Sequence, residues 1–176
     1  MGFGDTTLLC KIVFGLLITC FVIDLIGFAI PYWHSTDSVF GLKNFGGLWD
    51  DCHYLDGDKK CENIKENVLP ESFLSWFRAV RAFSILSWLF FLAALVIVII
   101  FMFFMSAKKP LYLVAVCLSF AGAFCALIAF AVYAGESFSS YTHYHIAFAL
   151  TVVSFVLGLL AGILGILDYF LGGGGK

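Results

Sequence analysis

The sequence predicts an all-α membrane protein: four transmembrane helices, with a small antiparallel β-sheet in the connection between the first two. Three observations carry this. The chain is 62% hydrophobic and 12% charged, with a mean hydropathy of +1.01, whereas soluble domains run near 45–50% apolar and about 25% charged. Four apolar runs each exceed the roughly 18 residues that a tilted span needs. Between the first two lies an acidic, turn-rich stretch, GGLWDDCHYLDGDKKC over residues 46–61, with a cysteine on each side of a hairpin signal.

The spans are predicted at about 12–30, 79–105, 111–134 and 146–167. Pro31 ends the first and Pro110 opens the third. Backbone inside hydrocarbon must satisfy its own hydrogen bonds, so each run is read as a helix. The first run is long and lacks a small-residue cleavage site, which argues against a signal peptide. The connections are then a first loop over 31–78, a short turn over 106–110 and a second loop over 135–145. They join the spans into a single tetraspan domain.

Four spans put both termini on one side. Lysines do not decide which: Lys11, Lys108, Lys109 and Lys176 fall on one side, Lys43, Lys59, Lys60 and Lys65 on the other. The cysteines decide if they are oxidised, because disulfides persist outside the cytoplasm. Both loops are then extracellular, with the termini and the 106–110 turn cytoplasmic.

The first loop has room for its own structure. Asp56-Gly57 is a strong two-residue hairpin signal, since a type I′ turn needs positive φ at both central positions. With that pair at the tip, Leu55 faces Asp58, Tyr54 faces Lys59, His53 faces Lys60, and Cys52 faces Cys61. The cysteines fall on a non-hydrogen-bonded pair, about 4.5 Å apart at Cα, within reach of a disulfide. Free thiols, or a metal site completed by His53, are the alternatives. Val39–Trp49 is compatible with further short strands, and Trp33, Trp49 and Trp76 suit the membrane interface. Over residues 32–76 eight carboxylates stand against four lysines, a formal −4 compared with −2 for the whole chain.

The order Trp33, then Gly47-Leu48-Trp49, Cys52 and Cys61, followed by Arg78 or Arg81 at the mouth of the second span, resembles the W–GLW–C–C signature of claudins. The wider superfamily includes peripheral myelin and epithelial membrane proteins and the gamma-type auxiliary subunits of ion channels. The resemblance implies a left-handed four-transmembrane-helix bundle capped by a small extracellular antiparallel β-sheet, with Cys52 and Cys61 bridged. It also implies a plasma-membrane protein of cell–cell junctions. Such a protein self-associates in the membrane, meets the same or related tetraspans on the next cell, and forms a paracellular barrier or pore. In that family first-loop charges help set ion selectivity, including the position after the second cysteine, here Glu62. Asp50, Asp51 and Asp58 join it as candidates that favour cations. The second loop is short for a claudin. No N-x-[ST] sequon occurs, which leans away from the alternatives, a myelin/epithelial-type membrane organiser or an ion-channel auxiliary subunit.

Inside the membrane, Asp24 and Arg81 enter from the same side at comparable depth, so an ion pair is the simplest expectation. A protonated or water-facing carboxylate and an ion pathway are the alternatives. Gly158 and Gly162 form a GxxxG suited to close helix approach, within the bundle or between copies. Cys10, beside the membrane, is a candidate for reversible palmitoylation. No metal cluster, nucleophile–base arrangement or phosphate loop is legible, so neither catalysis nor a cofactor is expected. The acidic outer loop excludes nucleic acid. The expected partners are membrane lipid, further tetraspans and, on the alternative reading, an ion channel.

Overall fold

The computed structural model describes residues 6–37, 43–55, 58–65, 71–104, 109–136 and 142–171. Four helices long and apolar enough to cross a membrane form a ring, α1–α2–α3–α4, in which each packs on two neighbours. A five-stranded sheet covers one end.

Helix α1 spans Leu8–Ala29. Thr7 caps its start, with Oγ1 accepting from the Cys10 amide at 3.1 Å. It stops at Ile30, which is extended (φ −86°, ψ 144°) because it precedes Pro31. Helix α2 spans Glu71–Phe103, with an acid in its positive first turn. Helix α3 spans Lys109–Glu136, with Pro110 in the first turn, where no amide bond is lost. Helix α4 spans Ile146–Leu171. Helix α2 therefore begins at Glu71, ahead of its apolar run at Ala79. At 1.5 Å per residue its 33 residues extend about 50 Å, well beyond a hydrocarbon layer of about 30 Å. An apolar run marks where lipid surrounds a helix; the hydrogen-bonded helix continues past it. Most of the 106–110 turn lies outside the described residues.

The strands are β1 His34–Asp37, β2 Lys43–Gly46, β3 Asp50–Leu55, β4 Asp58–Asn63 and β5 Thr142–Tyr144, in the antiparallel order β4-β3-β2-β1-β5. The β3–β4 register is the one the hairpin arithmetic gives, with Leu55 opposite Asp58 and Cys52 opposite Cys61. Asp56 and Gly57 themselves lie outside the described residues. Strand β5 comes from the second loop and pairs with β1, His34 opposite Tyr144. Both loops thus share one sheet.

The bundle closes by inserting rings into glycine slots. A Cβ at Gly158 would lie 2.7 Å from the Phe91 ring, and one at Gly122 would lie 2.9 Å from it. Phe91 of α2 is fully buried between α3 and α4 as a result. Gly162 gives the same room to Phe120, at 2.7 Å, and Ser119 Oγ donates to the Gly158 carbonyl at 2.9 Å. The GxxxG face is occupied inside the bundle. Cys10 needs a correction. It is 1% exposed and packed near Tyr112 and Asp168, because α1 begins at Leu8 and turns this face inward. An enclosed thiol is closed to acylation.

Replacing Gly158 by Val is expected to destabilise the bundle by about 1–3 kcal/mol through overpacking against Phe91. Thermal unfolding in detergent checks this; an unchanged midpoint would mean that the ring moves aside freely.

Candidate interaction site on the sheet

The sheet is seated on the bundle by the residues of the W–GLW pattern, and the reason lies in the end of α1. The last four carbonyls of a helix have no partner inside it. The Ile30 amide reaches Ile26 O at 3.1 Å. Two indoles serve the next two: Trp33 Nε1 donates to Gly27 O at 2.9 Å and Trp49 Nε1 to Phe28 O at 2.8 Å. Gly47 permits the approach, since a Cβ there would sit 2.4 Å from Pro31 Cα. Leu48 is fully buried beside Phe77, Val80 and Tyr133.

Arg81 completes the junction from α2. Its Nε donates to Leu48 O at 2.6 Å, and its guanidinium carbon lies 5.0 Å from the Trp49 ring centre and 4.4 Å from that of Phe77. These contacts orient Arg81 toward the loop backbone. The expected Asp24–Arg81 pair is accordingly corrected. Asp24, 2% exposed, instead accepts from Ser154 Oγ of α4 at 2.9 Å through Oδ1. Ser87 of α2 reaches toward the same carboxylate without closing a well-formed hydrogen bond. The unpaired carbonyl of a buried turn and two aromatic faces draw the planar guanidinium away from the acid.

Above this junction Cys52 and Cys61 form a disulfide, with Cα atoms 4.0 Å apart. On the entropy model a loop this short contributes about 2–3 kcal/mol. Side chains alternate across the pleat, so the hairpin presents two different faces. Asp51 and His53 share one face with Glu62, Lys60 and Asp58, and Asp51 stands directly opposite Glu62. Both of these acids are exposed. Asp50 falls on the other face, where its carboxylate accepts from Asn63 Nδ2. Of the four acids singled out in the sequence, three therefore share a face and the fourth does not.

The opposite face is aromatic. Phe45 lies 5.3 Å from Tyr32, 5.9 Å from Tyr54 and 5.4 Å from His145. Lys59 Nζ donates to Tyr32 OH at 2.6 Å. This patch was not legible from the sequence, because its rings come from four separate segments. Only the register joining β5, β1, β2 and β3 brings them together.

His34, in β1, joins the sheet to α3. Its Nδ1 is 2.6 Å from Tyr133 OH, and the ring occupies the space over Gly46, where a Cβ would lie 2.1 Å away. Burial lowers the His34 pKa from its usual 6.5, and the nearby Asp51 partly opposes this.

A ring of four membrane-length helices, capped by a disulfide-stapled sheet that two indoles fasten to the end of the first helix, defines a tetraspan membrane protein. The chain belongs to the PMP-22/EMP/MP20/Claudin family, whose model matches residues 6–165. A search of curated proteins returned no match.

Two outcomes are expected at the junction. Arg81→Met should cost about 1.5–3 kcal/mol by leaving the Leu48 carbonyl unpaired, and Arg81→Lys should not restore it, because an ammonium lacks the flat stacking surface; thermal unfolding of both variants decides. For His34 the folded pKa lies below the unfolded one, so the unfolded chain binds the proton first as pH falls. Stability should therefore decline below about pH 6.5 and level off once the folded ring protonates. Unfolding midpoints from pH 8 to 5 should show this decline in the wild type, and His34→Asn should flatten it.

Proposed function

We propose that the protein is a claudin-like component of cell–cell junctions, which self-associates in the plasma membrane and lines a cation-favouring paracellular path. The observation that carries this reading is the rung formed by Asp51 and Glu62, which stand directly opposite each other and are both exposed. Like charges directly opposite on neighbouring strands destabilise a hairpin. A hairpin that carries them sacrifices stability for a concentrated negative field, which attracts cations and repels anions. The disulfide supports placing the sheet outside the cell, and four spans then leave both termini in the cytoplasm.

The aromatic face favours a second reading, in which the sheet docks on an ion channel as an auxiliary subunit. Tyr54, 37% exposed, is its outward member, and aromatic residues are enriched where proteins meet.

Expression in epithelial cells that lack junction strands separates the two. Under the first reading, intramembrane strands form at contacts and permeability shifts toward sodium over chloride. Glu62→Lys changes the local charge by two units, worth about 0.5–1 kcal/mol for an ion several ångströms away in screened water. The sodium-to-chloride permeability ratio should fall about two- to fivefold. An unchanged ratio, or surface delivery without strands, rejects the junction reading.

A further inference from the structure

The turn of Asp24 lies five residues from the end of α1, about 8 Å inside it. Among the described residues, four buried polar atoms near this level have no hydrogen-bond partner: Asp24 Oδ2, Ser84 Oγ, Ser87 Oγ and Trp88 Nε1. Asp24, Ser84 and Ser87 are each at most 2% exposed. They belong to one neighbourhood. Ser87 reaches toward the Asp24 carboxylate. The Trp88 ring stacks on Phe21 at 5.5 Å and lies 6.1 Å from Phe28, and these two residues bracket Asp24 by a turn on each side. Ser84 is one turn nearer the sheet on the same face of α2.

We propose that this polar cluster where α1, α2 and α4 meet is a binding site for internal water, held by Asp24 Oδ2, Ser87 Oγ and Trp88 Nε1. Hydrocarbon offers these groups nothing, and leaving each unpaired is costly. The donor and acceptor inventory selects the occupant. The carboxylate oxygen accepts, the hydroxyls do both, and the indole only donates. Water has two donors and two acceptors and completes every one of them with the two to four partners an internal water requires. A small cation is bound only through lone pairs. It would leave the indole N–H unpaired and place two positive ends together. Ser84, one turn toward the sheet, is the next buried hydroxyl without a partner.

Four tryptophans make the test internal. The chain is labelled with 15N-tryptophan in lipid nanodiscs, and magnetisation transfer from water to each indole proton is measured. The unfolding midpoint is followed in sodium and in choline at equal ionic strength. Trp88 should receive transfer several-fold stronger than Trp33 and Trp49, whose indoles donate to Gly27 and Phe28 carbonyls. Ser87→Ala and Asp24→Leu should each weaken the Trp88 signal several-fold. Should Asp24→Leu fail to fold, the wild-type ranking of the three indoles decides alone. Transfer to Trp88 no stronger than to Trp33 and Trp49 overturns the proposal. A midpoint raised by sodium but not by choline overturns it as well, by assigning the cluster to a cation.

Discussion

The carbonyl oxygens at the end of α1 must be hydrogen-bonded somewhere, and the architecture of the sheet follows from how that is done. A buried carbonyl left unpaired costs about 1–3 kcal/mol. Two indole N–H groups that arrive from the loop, one before β1 and one before β3, remove that cost at Gly27 and Phe28. Because both tryptophans lie in the loop, the sheet is fixed in position and orientation by the same bonds that finish the helix. Gly47 allows the backbone to come close enough, and Arg81 ties α2 to the same turn through Leu48 O. The spaced pattern of Trp33, Gly47-Leu48-Trp49 and Arg81 is in physical terms a single helix cap.

Below the cap, the helices have no hydrophobic drive to associate, since lipid is as apolar as they are. They use shape and a few polar clasps. Phe91 and Phe120 fill spaces that glycines leave open. Helices α1 and α4 are clasped twice, by Ser154 on Asp24 at 2.9 Å and by Thr7 Oγ1 on Asp168 Oδ1 at 2.5 Å. Thr7 therefore has two roles, since it also caps α1. Gly27 lies about one turn beyond the Asp24 clasp, toward the sheet, where a Cβ would lie 3.2 Å from Thr151 Oγ1. The outer surface of the ring stays apolar, as with Phe124 at 61% exposed, which suits contact with lipid.

Features governed by one-dimensional rules were legible in the sequence. Spans followed from apolar length, and the Cys52–Cys61 register followed from counting back from a two-residue turn. Features that depend on which helix face meets which were not. The Asp24 partner is a serine 130 positions away, whose hydroxyl looks unremarkable within an apolar run. Asp168 falls just past the predicted fourth span, yet it is only 8% exposed. Strand β5 is three residues long, too short to show a period of two, and only β1 beside it makes it a strand. Among the candidate acids, strand alternation around the known register separates Asp50 from Asp51. That division could have been drawn once the hairpin was accepted.

The pairing of β1 with β5 also bears on biogenesis. His34 and Tyr144 are more than a hundred residues apart, with α2 and α3 between them. Contacts at such separation form late in folding. During synthesis the stapled hairpin can close as soon as the first loop emerges, whereas the fifth strand has no place until the third helix has been threaded. The amide of Ala147, in the first turn of α4, bonds to Tyr32 O at 2.9 Å, so the last helix starts on a site that only the first loop provides. A chain with a mis-inserted span would expose a bare β1 edge, a lesion that a quality-control factor could read without probing the membrane interior.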